Sequence, residues 1–217
     1  MDAETLPAVD GRRARRDRSR AAVIDAVFEL VHEARVPPAA DEVAERSGVS
    51  VSSIFRMFDG LDDMRNQAFD QFDRRYAHLV VTEFDASLPR QERIDGLVRS
   101  RVELYAASGA LLRLGRQRSL DHPNVADRMS ALSSVLAQQV QHCLRVETTT
   151  LSSAAVGNLV AMVDATTSPD AFDLLQAVHG RSRRQVERTW RRGVGALVAA
   201  WCNEPAEPTP ISQGVNS

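Results

Sequence analysis

The segment from Asp41 to Phe58, DEVAERSGVSVSSIFRMF, constrains the fold more than any other part of the chain. Its apolar residues fall at helical spacing on both sides of Gly48, a residue that permits a tight turn. Ala44 lies four residues before that glycine and is small enough to let two helices cross closely. The segment therefore predicts two short helices joined by a turn, which is the arrangement of a helix-turn-helix.

The second of these helices is predicted to begin at Ser50 and is the element that enters the DNA major groove in such a motif. Serine hydroxyls and backbone N–H groups at a helix N-terminus favour phosphate, and an arginine suits a phosphate or a guanine edge. The predicted DNA contacts of this helix are Ser50, Val51, Ser52, Ser53, Phe55 and Arg56. A plain helical hairpin would show the same apolar spacing, so the position in the chain also matters.

Charge along the chain separates the basic residues from the predicted motif. Residues 11–20 contain six arginines and one aspartate, whereas residues 41–64 contain six carboxylates and two arginines. Arginines that precede such a motif can cover phosphates or reach a minor groove. We predict a disordered basic arm over residues 1–18 and further DNA contacts from Arg12, Arg13, Arg15, Arg16, Arg18 and Arg20. A solvated tail without a partner is the alternative interpretation of the arm.

The remainder of the chain also shows helical spacing. Apolar residues predict a helix from Ser19 to the prolines at 37 and 38, a long helix after Gly60, and helices after Pro89 and Pro123. The stretch 151–167 is apolar almost all round, which predicts burial on several sides. A short helix is predicted to begin at 168–169. The predicted fold class is all-α, with an N-terminal three-helix DNA-binding domain and a C-terminal helical domain.

The predicted organisation has four parts. A disordered basic arm covers residues 1–18, and the helix-turn-helix DNA-binding domain covers 19–62. A helical ligand-binding and dimerisation domain covers 63–203. Three prolines in the last segment predict a disordered tail over 204–217.

The motif residues and their position resemble those of a known family. The run AERSGVS-x3-IF-R-x-F, followed by Asp62, Asp63 and Met64, resembles the N-terminal signature of the TetR family of bacterial regulators. The likeness covers about residues 20–69, and a looser one at 167–175 resembles a subset of that family. The resemblance implies a homodimer with two DNA-binding modules and a body that binds a small-molecule effector.

Four positions depart from the family pattern. The family often has Thr where this chain has Ala39, and Lys where it has Val51. Its usual Tyr is replaced by Phe55, and its common Lys after the recognition helix is replaced by Leu61. Each departure removes a potential phosphate partner, so the DNA affinity is expected to depend on the arginines before the motif.

The C-terminal part offers few residues with evident chemistry. Arg101 interrupts an apolar stripe, so it is expected to face a ligand carboxylate or, in the alternative interpretation, a structural acid. The predicted ligand-binding residues are Arg101, Tyr105, Met129, Gln139, Asn158 and Met162. The last helix carries a predicted dimerisation face made of Trp190, Val194, Leu197 and Trp201. Packing within one subunit would explain either set equally well.

Composition and motifs argue against several other classes. A content of 43% hydrophobic and 26% charged residues is ordinary for a globular protein, and the two cysteines fit no zinc or disulfide pattern. The five histidines are scattered, and no catalytic triad or acid–base pair can be named. We therefore expect no enzyme activity, no metal and no cofactor. The sequence shows no signal peptide and no run long enough to cross a bilayer, which predicts a cytoplasmic protein without membrane partners.

Two functions follow from these features. The first is a ligand-responsive transcriptional regulator of TetR type, acting as a repressor that binds a pseudo-palindromic double-stranded DNA operator as a homodimer. The second is a dimer of the same fold that has weakened or lost DNA binding and that binds a ligand or protein. The effector, the operator and the regulated genes are not encoded in recognisable motifs.

Overall fold

The computed structural model describes residues 8–34, 36–80 and 84–203, and all regular structure in these ranges is helical. This confirms the predicted all-α class. The helices are α1 (Ala8–Ala34), α2 (Ala40–Ser47), α3 (Val51–Met57), α4 (Gly60–Val80), α5 (Arg90–Ser119), α6 (Pro123–Cys143), α7 (Ser153–Thr166), α8 (Pro169–Asp173) and α9 (Arg183–Asn203). A π-helical turn, Leu174–Val178, follows α8. The predicted tail 204–217 lies outside the described residues.

The first helix begins well before Ser19, where it was predicted to start. Residues 8–18 form the N-terminal part of α1, so the prediction of a disordered arm is wrong for these residues. Alanine and arginine have high helix propensity, and the segment lacks proline, which explains why a polar sequence continues the helix. The side chains at 13–18 are exposed. Residues 1–7 lie outside the described part.

The described residues form two compact units. The first unit comprises the described residues within 1–81 together with 103–133. In it, α1 packs against α2, α3 and α4. Val23 and Val31 of α1 are fully buried, and α4 contributes a buried stripe of Met64, Ala68, Phe72 and Tyr76. The hydroxyl of Tyr76 donates a hydrogen bond to the carbonyl oxygen of Ala107 at 3.2 Å.

The second unit comprises the described residues within 82–102 and 134–217. Its core contains Ile94 and Leu97 of α5 and a fully buried stripe on α9. That stripe consists of Val186, Trp190, Val194 and Val198. The Trp190 ring lies 5.9 Å from the ring of Phe172, centroid to centroid. The aromatic pair therefore joins α8 and α9 within this unit.

Two of the predicted dimerisation residues are internal. Trp190 is 1% exposed and Val194 is 0% exposed in the single chain, so neither can offer surface to a second copy. Their stripe packs in the core of the single subunit, as the alternative interpretation of packing within one subunit predicts. Leu197 and Trp201 are half-buried. Conversely, α7 buries Leu159 and Val163 and leaves most of its other side chains accessible, so the predicted burial on several sides is wrong for the single chain.

The turn between α2 and α3 depends on Gly48. Its φ of 69° lies in the left-handed region, which costs an L-residue strain. No heavy atom lies within 4 Å of the place where a Cβ would stand. An alanine there would therefore meet backbone strain without a steric clash. We expect Gly48→Ala to lower the free energy of unfolding, measured in urea, by about 1 kcal/mol.

Gly195 provides a matched control for this substitution. It also has no heavy atom within 4 Å of its Cβ position, but it lies inside α9 with an ordinary helical backbone. We expect Gly195→Ala to raise the free energy of unfolding by roughly 0.5–1 kcal/mol, because alanine is the better helix former. Equal effects of the two substitutions would contradict strain at Gly48.

The two cysteines lie in different surroundings. Burial raises the pKa of the Cys143 thiol to about 12, and Cys143 is fully buried at the end of α6. Cys202 is half-buried in α9. Because the thiolate is the reactive form, we expect a thiol reagent at about pH 8 to label Cys202 alone in the native chain. Both thiols should react in urea. Fast labelling of two thiols in the folded protein would contradict the burial of Cys143.

Candidate nucleic-acid interface

The predicted recognition helix is α3, and its first turn is held by serine side chains. Ser50 is the N-cap, and its Oγ accepts a hydrogen bond from the Ser53 backbone N–H. The Ser50 hydroxyl also donates to the Ser53 Oγ at 2.9 Å. Arg56 donates from Nη2 to that same Ser53 Oγ at 3.0 Å. The serines thus cap the helix and orient a guanidinium on its surface.

The helix presents an apolar residue as well as a basic one to solvent. Ile54 and Phe58 are buried against the rest of the first unit. Phe55 is 49% exposed, which is unusual for a large aromatic side chain. Arg56 and Ser52 are exposed, and Val51 is half-buried. The predicted contact residues of α3 therefore remain accessible.

The N-terminal part of α1 lies beside α3 and brings arginines to it. Arg15 and Arg16 line an open depression together with residues of the turn and of α3, including Gly48, Ser50, Ser53 and Arg56. No carboxylate occurs among the described residues that line this depression. We call Arg15, Arg16 and Arg56, with the serines between them, the basic surface. Guanidinium groups gathered without a lining acid create a positive potential that favours an anion.

Arg20, which is also a predicted DNA contact, makes a structural contact within the first unit. Its Nη2 donates to the carbonyl oxygen of Met57 at 2.6 Å, and its guanidinium lies 5.0 Å from the centre of the Phe58 ring. Both partners sit at the end of α3, where helix carbonyls lack partners within the helix. Arg20 therefore fixes α3 on α1. Arg13 and Arg18 are exposed, and the side chain of Arg12 lies outside the described part.

Carboxylates near α2 cap the helix and neutralise its arginine. The Glu42 side chain accepts a hydrogen bond from the Ala39 N–H at 2.7 Å, so α2 is capped although residue 39 has no hydroxyl. Arg46 pairs with Glu29 and Glu33 of α1 at 3.2 Å and 2.7 Å. The hydrogen bond from Arg46 lowers the pKa of the Glu33 carboxyl. These exposed pairs contribute little stability, but they engage Arg46, the arginine of α2, in contacts within the protein.

The six predicted ligand residues do not behave as a set. Arg101 is 1% exposed and donates from Nη2 to the Leu136 carbonyl at 2.6 Å and to Asp164 at 3.1 Å. Asp164 is therefore the structural acid that the alternative interpretation of Arg101 predicts. Tyr105 and Gln139 are buried, whereas Asn158 and Met162 are exposed. Met129 is half-buried, and its Sδ lies close to Gly115.

An apolar cavity occurs elsewhere in the first unit, and none of these six residues lines it. Sequence reasoning missed it because its walls come from helices distant in the chain. Among the described residues, no group of three His, Cys, Asp or Glu side chains is arranged to hold a metal ion. No helix in the described ranges combines the length and apolar character needed to cross a bilayer.

Comparison with known proteins identifies a structural neighbour. The chain matches no protein-family model, and no curated protein is significantly similar to it. Its fold is similar to the crystal structure of a transcriptional regulator from Rhodococcus sp. Rha1, with a TM-score of 0.65. The match covers 88% of this chain and 99% of the other, at 16% sequence identity. At this identity the likeness shows the fold alone.

Proposed function

We propose that the chain is a DNA-binding transcriptional regulator of TetR type, which binds a pseudo-palindromic operator as a homodimer and is released by a small molecule. The basic surface beside α3 carries the proposal, because three arginines from two helices meet there without a lining carboxylate. The likeness in fold to a transcriptional regulator supports it. In this proposal the chain is a cytoplasmic repressor without catalytic activity.

The proposed contacts divide between positioning and reading. Arg15 and Arg16 bind backbone phosphates beside the groove that α3 enters, which sets the register without reading sequence. In this proposal Arg56, which lies on α3 itself, binds a phosphate or the O6 and N7 atoms of guanine. The exposed ring of Phe55 is suited to the methyl group of thymine, an apolar contact that reads a base.

The test is a titration of DNA from both flanks of the gene with the full chain, followed by fluorescence anisotropy. We expect specific binding at low salt, with log affinity falling linearly with log salt concentration as phosphate contacts release counterions. An unrelated duplex of the same length is the control. Absence of any preference for the flanking DNA, even at low salt, would overturn the proposal.

A second function is favoured by a specific observation. The exposed carboxylates Asp41, Glu42 and Glu45 lie on α2, and apolar Val51 and Phe55 lie where phosphate ligands are usual in the family. Such a surface suits a dimer of this fold that has lost DNA binding and that binds a ligand or protein. The same titration separates the two functions, since this alternative predicts no salt-dependent DNA affinity.

The homodimer rests on the accessible face of α7. Ala161, Met162 and Ala165 are exposed in the single chain, although they belong to a strongly apolar helix. Apolar side chains that lie next to one another on an exposed surface are typical of an interaction site. We expect sedimentation equilibrium to show a dimer at micromolar concentration. A monomer that persists at that concentration would contradict this part of the proposal.

A further inference from the structure

The first unit contains an apolar cavity of about 230 Å³. Its walls come from α1, the prolines before α2, α4, the C-terminal part of α5 and the start of α6. Three phenylalanine rings face it, those of Phe28, Phe69 and Phe72, together with aliphatic side chains such as Leu111 and Leu114. A cavity of about 150 Å³ with such a lining binds benzene. The space therefore suits a single ring with short substituents.

The fixed charge among the described residues that line the cavity is positive. Arg118 and His122 line it, and no carboxylate occurs among its described lining residues. The Arg118 side chain is half-buried, and no described residue forms an ion pair with it. Asn66 and Asn124 also line the cavity, but they hydrogen-bond to each other at 2.7 Å. Arg118 is thus the lining residue that can form an ion pair with a bound anion.

We propose that this cavity binds a small monoaromatic carboxylate, with its ring among the phenylalanines and its carboxylate on Arg118. The apolar lining supplies the affinity by removing the ring from water. A guanidinium binds a carboxylate through two parallel hydrogen bonds, which fixes the orientation of the ligand. Benzoates with a short para substituent match both the volume and the charge.

The site also lies against the helices that carry the helix-turn-helix. Val27 and Val31 of α1 and Met64 of α4 line the cavity, and α1 packs directly on α3. An occupant that changes the packing of α1 changes the support of α3 and of the basic surface. This regulatory consequence rests on the proposed function, whereas binding itself does not.

The test measures binding by isothermal titration calorimetry with the full chain in the absence of DNA. The probes are 4-isopropylbenzoate and its neutral isostere 4-isopropylbenzamide. We expect the benzoate to bind at least tenfold more tightly than the amide. Arg118→Gln should reduce that preference at least tenfold and leave amide affinity unchanged. Arg99→Gln is the matched control, because Arg99 is an exposed arginine of the same helix outside the cavity, and it should change neither affinity.

A second variant tests the apolar part of the site. Leu114 is half-buried and lines the cavity, so Leu114→Trp should fill it and abolish binding of both probes. No binding of either probe to the unsubstituted chain would overturn the proposal. Equal affinities for the two probes, unchanged by Arg118→Gln, would overturn it as well.

The outcome with DNA is separate from the outcome with ligand. If the proposed function is correct, saturating benzoate should lower affinity for the flanking DNA at least fivefold. Benzoate binding without any DNA binding would refute the proposed function and leave the ligand site standing. DNA binding with no benzoate binding would refute the ligand site alone.

Discussion

Replacing Arg15 and Arg16 together with glutamine is expected to weaken binding to the flanking DNA on the order of 50-fold for each module of the proposed dimer at 0.1 M salt. Both side chains are exposed beside α3 and line the basic surface. Each phosphate contact contributes about 0.9 to the slope of log affinity against log salt. The proposed dimer carries two modules and loses four such contacts, so the slope of the double variant should be shallower by about 3.6, measured by fluorescence anisotropy across a salt series.

The control for this variant removes the same charge elsewhere. Arg188 and Arg192 are exposed arginines of α9 in the second unit. Glutamine at both positions gives a protein of identical net charge, which should keep the original slope and affinity. Circular dichroism checks that all proteins remain helical. A slope that is the same in both double variants would show that Arg15 and Arg16 touch no phosphate.

Arg20 gives the contrasting result within the same helix. Its guanidinium contacts the Met57 carbonyl and the Phe58 ring, so removal of the Arg20 side chain should loosen α3 and destabilise the fold. The arginine run therefore contains residues with different roles. Charge density along the chain predicted their common role, but only packing separates them.

The helix-turn-helix was predictable because its signals are local. Ser50 caps α3 through Ser53, three residues later, and Gly48 supplies the positive φ of the turn. The observed α3 therefore begins at Val51, one residue after the predicted start at Ser50. The stripe on α4 was predictable for a similar reason, since a single period of 3.6 residues describes its buried face.

The rest depends on contacts between distant residues. Arg101 was placed on a buried stripe, but its acidic partner Asp164 is 63 residues away, and no periodicity points to it. The cavity likewise joins α1 to α6, so no single segment reveals it. The helical extension over 8–18 was missed for another reason. A solvated helix and a solvated coil have the same polar composition, and only propensity distinguishes them.

Neutralising Glu147 should have the largest effect on stability. Arg93 is 3% exposed, and its guanidinium binds the Leu88 carbonyl at 3.1 Å, the Cys143 carbonyl and both carboxylate oxygens of Glu147. Glu147 supplies the negative charge of this cluster. Glu147→Gln keeps the size of the side chain but leaves a buried cation without a counterion. We expect the free energy of unfolding to fall by about 3 kcal/mol in urea denaturation.

A matched pair in the same unit shows whether burial is the cause. Glu187 pairs with Arg191 on α9, but these side chains are 25% and 30% exposed. Water screens that pair, so Glu187→Gln should cost less than about 0.5 kcal/mol. If Glu147→Gln costs no more than Glu187→Gln, then the cluster is not what holds the ends of α5 and α6 together. A large difference shows that the carbonyl oxygens at the end of α6 depend on Arg93, and that Arg93 depends on Glu147 for its charge.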